Sequence, residues 1–158
     1  MAPPHVPAYV PGDALKPTWT ERVSIHESAH TIIALAHDVE VIRVSLHPGR
    51  TTFAAPIADP WTQLLVSVAA REAEIAAFGD YDKEGVRYDD ARADVAAFAV
   101  GGWDGFDNAL RTARGLCRVL VSLNWADIQD VALRLLAAPD GVLTGDAIAP
   151  SRRVLVSA

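Results

Sequence analysis

The sequence predicts a mainly α fold, a helical bundle carrying a small β-hairpin or short sheet. Three observations lead there. Five stretches between residues 18 and 138 have the length and the start or stop signals of helices. A single region, residues 39–55, is rich in β-branched residues and broken by a turn signal. Hydrophobic residues make up 51% of 158, enough for one core, yet no apolar run reaches the ~18–20 residues of a membrane span.

Taken in order, residues 1–17 hold Pro3, Pro4, Pro7, Pro11 and Pro17, and read as an extended Pro-rich arm, because proline fixes φ and lacks a donor. Residues 18–158 read as a single domain. Its first helix runs from Thr18 or Thr20 to about His37, with Thr20 as N-cap and Glu21 favourable in the first turn. Val23, His26, His30 and Ile33 fall on one stripe, directed where a core should be. Val39 to Leu46, the turn His47-Pro48-Gly49 and Thr51 to Ala55 read as a hairpin. After Pro56 and Pro60, Trp61 to Phe78 is a strongly apolar helix stopped by Gly79. A polar loop over 80–88 leads to a helix opened by Asp89 or Asp90 and ended by Gly101-Gly102. A further helix spans Phe106 to Ser122, and Asn124 caps the next, Trp125 to Ala138. Pro139-Asp140-Gly141 is a turn, Thr144 caps a last short helix, and Val154-Leu155-Val156 closes the chain. Trp61, Trp103 and Trp125 are expected as packing anchors.

Composition narrows the function classes. The net charge of −6 argues against non-specific binding to nucleic acid or to an anionic membrane. The lone Cys117 permits neither an intrachain disulfide nor a thiolate cluster. The N-terminus has no basic start and no apolar core of a signal peptide, so a soluble, cytoplasmic protein is expected.

The chemistry concentrates in His26-Glu27-Ser28-Ala29-His30, an HExxH pentad. Histidines four apart lie one turn apart on one helix face, so both imidazoles can reach one Zn²⁺. The intervening glutamate can act as general base on the attacking water. A hydrolytic zinc site takes three protein ligands, so a third is required. His37 shares the stripe but lies about 10 Å further along the axis, beyond the reach of a ~2.1 Å bond on an unbroken helix. Ile33 and Ala36 stand where a metzincin has glycine and histidine, which excludes that class. Glu72 and Glu74 are formal candidates from a following helix.

Two further segments add a resemblance. Ala70-Arg71-Glu72-Ala73-Glu74-Ile75-Ala76-Ala77-Phe78-Gly79, and Asp89-Asp90-Ala91-Arg92-Ala93-Asp94 after the Gly85 loop, resemble segments of the peptidase domain of FtsH-type AAA metalloproteases. Val41 to Gly49 is similar to that family's strand-and-turn region. Asn124 to Leu136 with Leu143-Thr144-Gly145 looks like the closing helices of its short stand-alone relatives. The likeness covers roughly residues 20–148.

The resemblance implies a zincin-like α+β arrangement inside the helical bundle. It implies Asp89 as third zinc ligand beside His26 and His30, with Asp90 the alternative one register away and Asp94 less suited. Glu27 is then the base, and Glu74 is either a support for the metal site or a surface charge. Val41 to Gly49 would offer an edge strand for an extended peptide. Arg43, His47 and His37 are candidates for an oxyanion donor that the sequence does not place.

The expected activity is zinc-dependent hydrolysis of an unfolded or flexible peptide. A separate partner protein or a homo-oligomer fits the same reading. The alternative is a catalytically inactive, metal-binding interaction or regulatory module of the same fold. Ala29 in place of the family's glycine, a short segment between His30 and Asp89, and the lack of any G-x-x-x-x-G-K-[ST] loop in these residues favour that alternative. Retention of Glu27 argues against it, since a structural zinc needs no base.

Overall fold

The computed structural model describes residues 16–150 and 155–158. The Pro-rich arm, apart from its last two residues, and Val154 lie outside the described residues. The architecture is mainly helical with a small antiparallel sheet, as the sequence predicts.

Helix α1 (Trp19–Ala36) starts with a capping box. Thr18 Oγ1 accepts from Glu21 N at 3.2 Å, and Glu21 Oε2 accepts from Thr18 N at 2.8 Å. The cap is therefore Thr18, not Thr20: the reciprocal bonds require the hydroxyl residue three positions before the glutamate, and only Thr18 stands there. From Ser24 to Ala34 nearly every residue of α1 is buried, with Ile32 and Ile33 wholly inside the core.

Strands β1 (Val41–Leu46) and β2 (Gly49–Phe53) form the expected hairpin, with Leu46 opposite Gly49 and Val44 opposite Thr51. A third strand, β3 (Val142–Thr144), pairs with the other side of β1, giving the order β2-β1-β3. This corrects the expectation that Val41 to Gly49 is an edge strand. β1 is central, and β2 is the edge facing away from β3. Three residues are too few to show a period of two, so β3 left no readable pattern.

Helix α2 (Pro60–Phe78) has Asp59 as N-cap, accepting from Thr62 N at 2.8 Å, and Gly79 at φ +79° as C-cap. That left-handed φ is where glycine avoids the Cβ penalty. Leu64, Leu65, Val68 and Ala69 are fully or almost fully buried, because α2 packs against both α1 and α3. This explains its strongly apolar composition.

Helix α3 (Arg87–Leu123) is bent double at Gly102 (φ 60°, ψ −163°). Its two arms, 87–101 and 103–123, lie side by side. Asp90 Oδ1 is 3.6 Å from Arg114 Nη2, although a straight helix would separate these residues by about 36 Å. At the bend, a Cβ on Gly101 would sit 3.0 Å from Phe106 N, so a larger residue would require the two arms to shift by a few tenths of an ångström. Trp103 sits at the outside of this bend, 87% exposed, against the edge of Phe98. It is not the packing anchor the sequence suggested, whereas Trp61 and Trp125 do pack on the core.

Helix α4 (Trp125–Ala137) follows Asn124. Asn124 stands at the cap position without capping α4. Its fully buried amide bonds Val156 N and O and Leu120 O, clamping the C-terminal segment to the bundle. Thr144 precedes a short 3₁₀ helix (Gly145–Ile148) without a side-chain cap bond. Among the described residues no helix is long and apolar enough to cross a membrane.

Candidate metal centre

α1 presents His26 and His30 one turn apart, and the first turn of α3 brings Asp89 to them. His26 Nε2 lies 3.2 Å from His30 Nε2, and Asp89 Oδ2 lies 3.0 Å and 3.2 Å from the two nitrogens. Both histidines are buried, and the Asp89 side chain is 13% exposed.

The outer ring nitrogens decide what this triangle can do. His30 Nδ1 is 2.8 Å from the carbonyl oxygen of Val66, which can only accept, so Nδ1 carries the proton. His26 Nδ1 is 2.8 Å from Glu74 Oε1, and a carboxylate likewise fixes the proton on Nδ1. In neutral imidazoles with those tautomers, both Nε2 lone pairs converge on the Asp89 carboxylate. Three acceptors about 3 Å apart repel one another unless a positive charge lies between them. Ligands held tetrahedrally at 2.0–2.1 Å from one zinc are about 3.3–3.4 Å apart, close to the spacing here. The donor set thus fits a divalent metal of the zinc type.

The same field acts on protons. Burial works against a charged His26, but bonds to Asp89 and Glu74 outweigh it and raise its pKa to about 10. Burial also works against the Asp89 charge, and the neighbouring His30 and His26 outweigh that, holding the carboxyl well below its usual range. The pocket favours a net positive occupant.

Glu74 is only 1% exposed and is a support for His26, not a surface charge. Besides His26 it accepts from Arg22 Nη1 at 2.9 Å and from Asp82 N at 2.8 Å, and Arg22 Nη2 reaches on to Asp80 at 2.7 Å. A chain of charge-assisted bonds, Asp80–Arg22–Glu74–His26, thereby orients one prospective ligand.

Glu27 is buried beside the histidines, against β2. Its Oε2 accepts from Thr51 Oγ1 at 2.8 Å. Gly49 allows β2 to lie this close: a Cβ there would be 2.8 Å from Val23 Cγ1 and 3.2 Å from Glu27 Oε1. Together Glu27 and the His-His-Asp group line a groove of about 1140 Å³. Its walls are β2, the segment after it, the start of α2 and the first arm of α3, including Phe53, Ile57, Gln63, Tyr88 and Val95.

The other candidates lie elsewhere. Asp90 turns to Arg71 and Arg114 at 3.8 and 3.6 Å, and Asp94 is exposed. Glu72 pairs with Arg118 at 3.1 Å. His37 donates from Nδ1 to Ile33 O and ends α1. His47 stacks on Trp19 and Arg43 is exposed on β1, and neither lines the groove. Sequence reasoning missed Thr51, Arg50 and Arg92. Arg92 was detectable, since three residues after Asp89 puts it on the same helix face.

Comparison with models of known protein families gives no match, and comparison with curated protein sequences gives none.

Proposed function

We propose that the chain is a zinc-dependent metallopeptidase, organised like the peptidase domain of FtsH-type metalloproteases and acting on unfolded or flexible peptides in the cytoplasm. The observation that carries this reading is the meeting of two Nε2 lone pairs and the Asp89 carboxylate on the groove that Glu27 also lines. His26, His30 and Asp89 would hold the zinc. When bound, it would supply Lewis acidity, acidifying a water and polarising the scissile carbonyl.

The remaining work falls to the chain. Thr51 donates to one Glu27 oxygen and keeps the carboxylate fixed, leaving Oε1 for the attacking water. Glu27 takes the proton from that water and returns it to the leaving amine. The outer edge of β2 can pair with the backbone of an extended substrate, holding it along the groove. The lone Cys117 is buried and needs no oxidising compartment.

The alternative, an inactive metal-held interaction module, does not account for a buried carboxylate oriented by Thr51 on an open groove. Glu27→Gln separates the two. The proposal expects wild type to cleave casein after zinc loading and Glu27→Gln to keep the fold and the zinc while losing cleavage. Equal cleavage by both would remove Glu27 as base, and no cleavage by wild type would favour the inactive module.

A further inference from the structure

The groove holds two cations that the hydrolytic reading does not use. Arg50 lines it from β2, beside Gly49, and Arg92 lines it from the first arm of α3. Both are exposed, and neither makes an ion pair among the described residues. Among the described residues six of the eight other arginines have an ion pair: Arg22 with Glu74 and Asp80, Arg71 and Arg114 with Asp90, Arg87 with Glu84, Arg118 with Glu72, and Arg134 with Asp130; Arg43 and Arg111, which do not line the groove, have none among those residues.

The charge balance makes this notable. Across the whole chain acidic residues outnumber basic ones, 20 to 14. Among the groove residues the acidic groups are Glu27 and Asp89, both at the catalytic end. A divalent cation there offsets those two charges, which leaves Arg50 and Arg92 as unmatched positive charge. Arg92 lies one turn, about 4.5 Å of helix rise, beyond Asp89. A group bound by it therefore sits within a residue or two of the bond being cleaved.

We infer that Arg50 and Arg92 select substrates bearing a carboxylate next to the scissile bond, from an acidic side chain or from the chain's C-terminus. Guanidinium suits this role, because its planar fork meets a carboxylate with two parallel bonds and keeps its charge at every working pH. The inference rests on the peptidase reading for its consequence, but the binding preference can be read without turnover.

The test uses Glu27→Gln protein loaded with zinc and labelled peptides followed by fluorescence anisotropy. One series is amidated and carries Glu, Gln or Lys at one internal position, and another is neutral throughout with a free C-terminal carboxylate. The Glu peptide, the free-acid peptide or both should bind roughly tenfold more tightly than the amidated Gln peptide, with Lys weakest. Tight binding of the free-acid peptide alone would identify the chain terminus as the source, and of the Glu peptide alone the side chain. Adding Arg50→Gln and Arg92→Gln should bring these ratios close to one, and Arg92→Lys should restore part of the preference. Glu and free-acid peptides that bind the protein no more tightly than the amidated Gln peptide would overturn the inference, as would ratios unchanged in the double arginine variant. With Glu27 restored, the same peptides report kcat/KM. Failure of wild type to cleave any of them would reject the peptidase reading, while a surviving binding ratio would still support the arginine assignment.

Discussion

Glu74→Gln removes one charge and almost no volume, and it interrogates the support behind the metal centre. Glu74 satisfies three donors: His26 Nδ1 on Oε1, and Arg22 Nη1 and Asp82 N on Oε2. A glutamine can orient in two ways. With its oxygen towards His26, its NH₂ faces two donors. Arg22 keeps Asp80, but the partly buried Asp82 N–H loses its acceptor, which costs about 1–3 kcal/mol. Adding the lost charge-assisted bond to Arg22 gives about 2–4 kcal/mol for the metal-free fold. With its NH₂ towards His26, the imidazole must accept at Nδ1, so its proton moves to Nε2 and the metal-facing lone pair is lost. Either orientation weakens zinc binding, by about 10–100-fold on the usual scale for such outer partners. Guanidinium unfolding in EDTA measures the first effect, and competition against a zinc chelator the second. Glu72→Gln is the control, since Glu72 pairs with Arg118 and should leave zinc affinity unaltered. A folded Glu74→Gln protein that binds zinc as tightly as wild type would refute the reasoning.

Three other perturbations probe separate parts of the account. Gly49→Ala forces Val23 and the Glu27 carboxylate apart from β2, so stability should fall by about 1–3 kcal/mol in urea unfolding, together with peptide cleavage; wild-type values for both would contradict the packing. Asp90→Ala should cost at most about 1 kcal/mol of stability in the same assay and leave zinc affinity unaltered, because Asp90 pairs with partly exposed arginines away from the pocket. Cys117 is wholly buried, and that burial pushes its thiol up to about 12. The native protein should resist iodoacetamide at pH 8 and react once unfolded. Since the folded pKa is the higher one, this group's contribution to stability is constant below about pH 9 and declines as pH rises towards 12, where the unfolded thiol ionises first. Native alkylation at the unfolded rate would show the site to be open.

The readable parts of this chain are those written in local chemistry. The HExxH spacing, the apolar run of α2, Gly79 as a helix stop and the Gly101-Gly102 break each depend on residues within a turn or two, and each recurs in the structure. The choice of Asp89 over Asp90 came from resemblance, and the geometry brings Asp89 to the histidines. What depended on distant partners was not legible. β3 joins β1 across almost a hundred residues, turning an expected edge into a central strand. Asn124 looks like a cap but spends its amide on the C-terminal segment. Trp103 has the composition of an anchor, and its exposure follows from the bend beside it. Thr51 gained its role because β2 packs on α1, a contact that no periodicity encodes.

Native mass spectrometry after zinc loading and exhaustive desalting tests the central claim most directly. The account predicts one zinc per chain in wild type and in Glu27→Gln, and loss of that zinc in Asp89→Ala, because two histidines alone leave the tetrahedral donor set short of its third ligand. A folded wild-type protein that retains no zinc, or an Asp89→Ala variant that retains it as fully as wild type, would contradict the account.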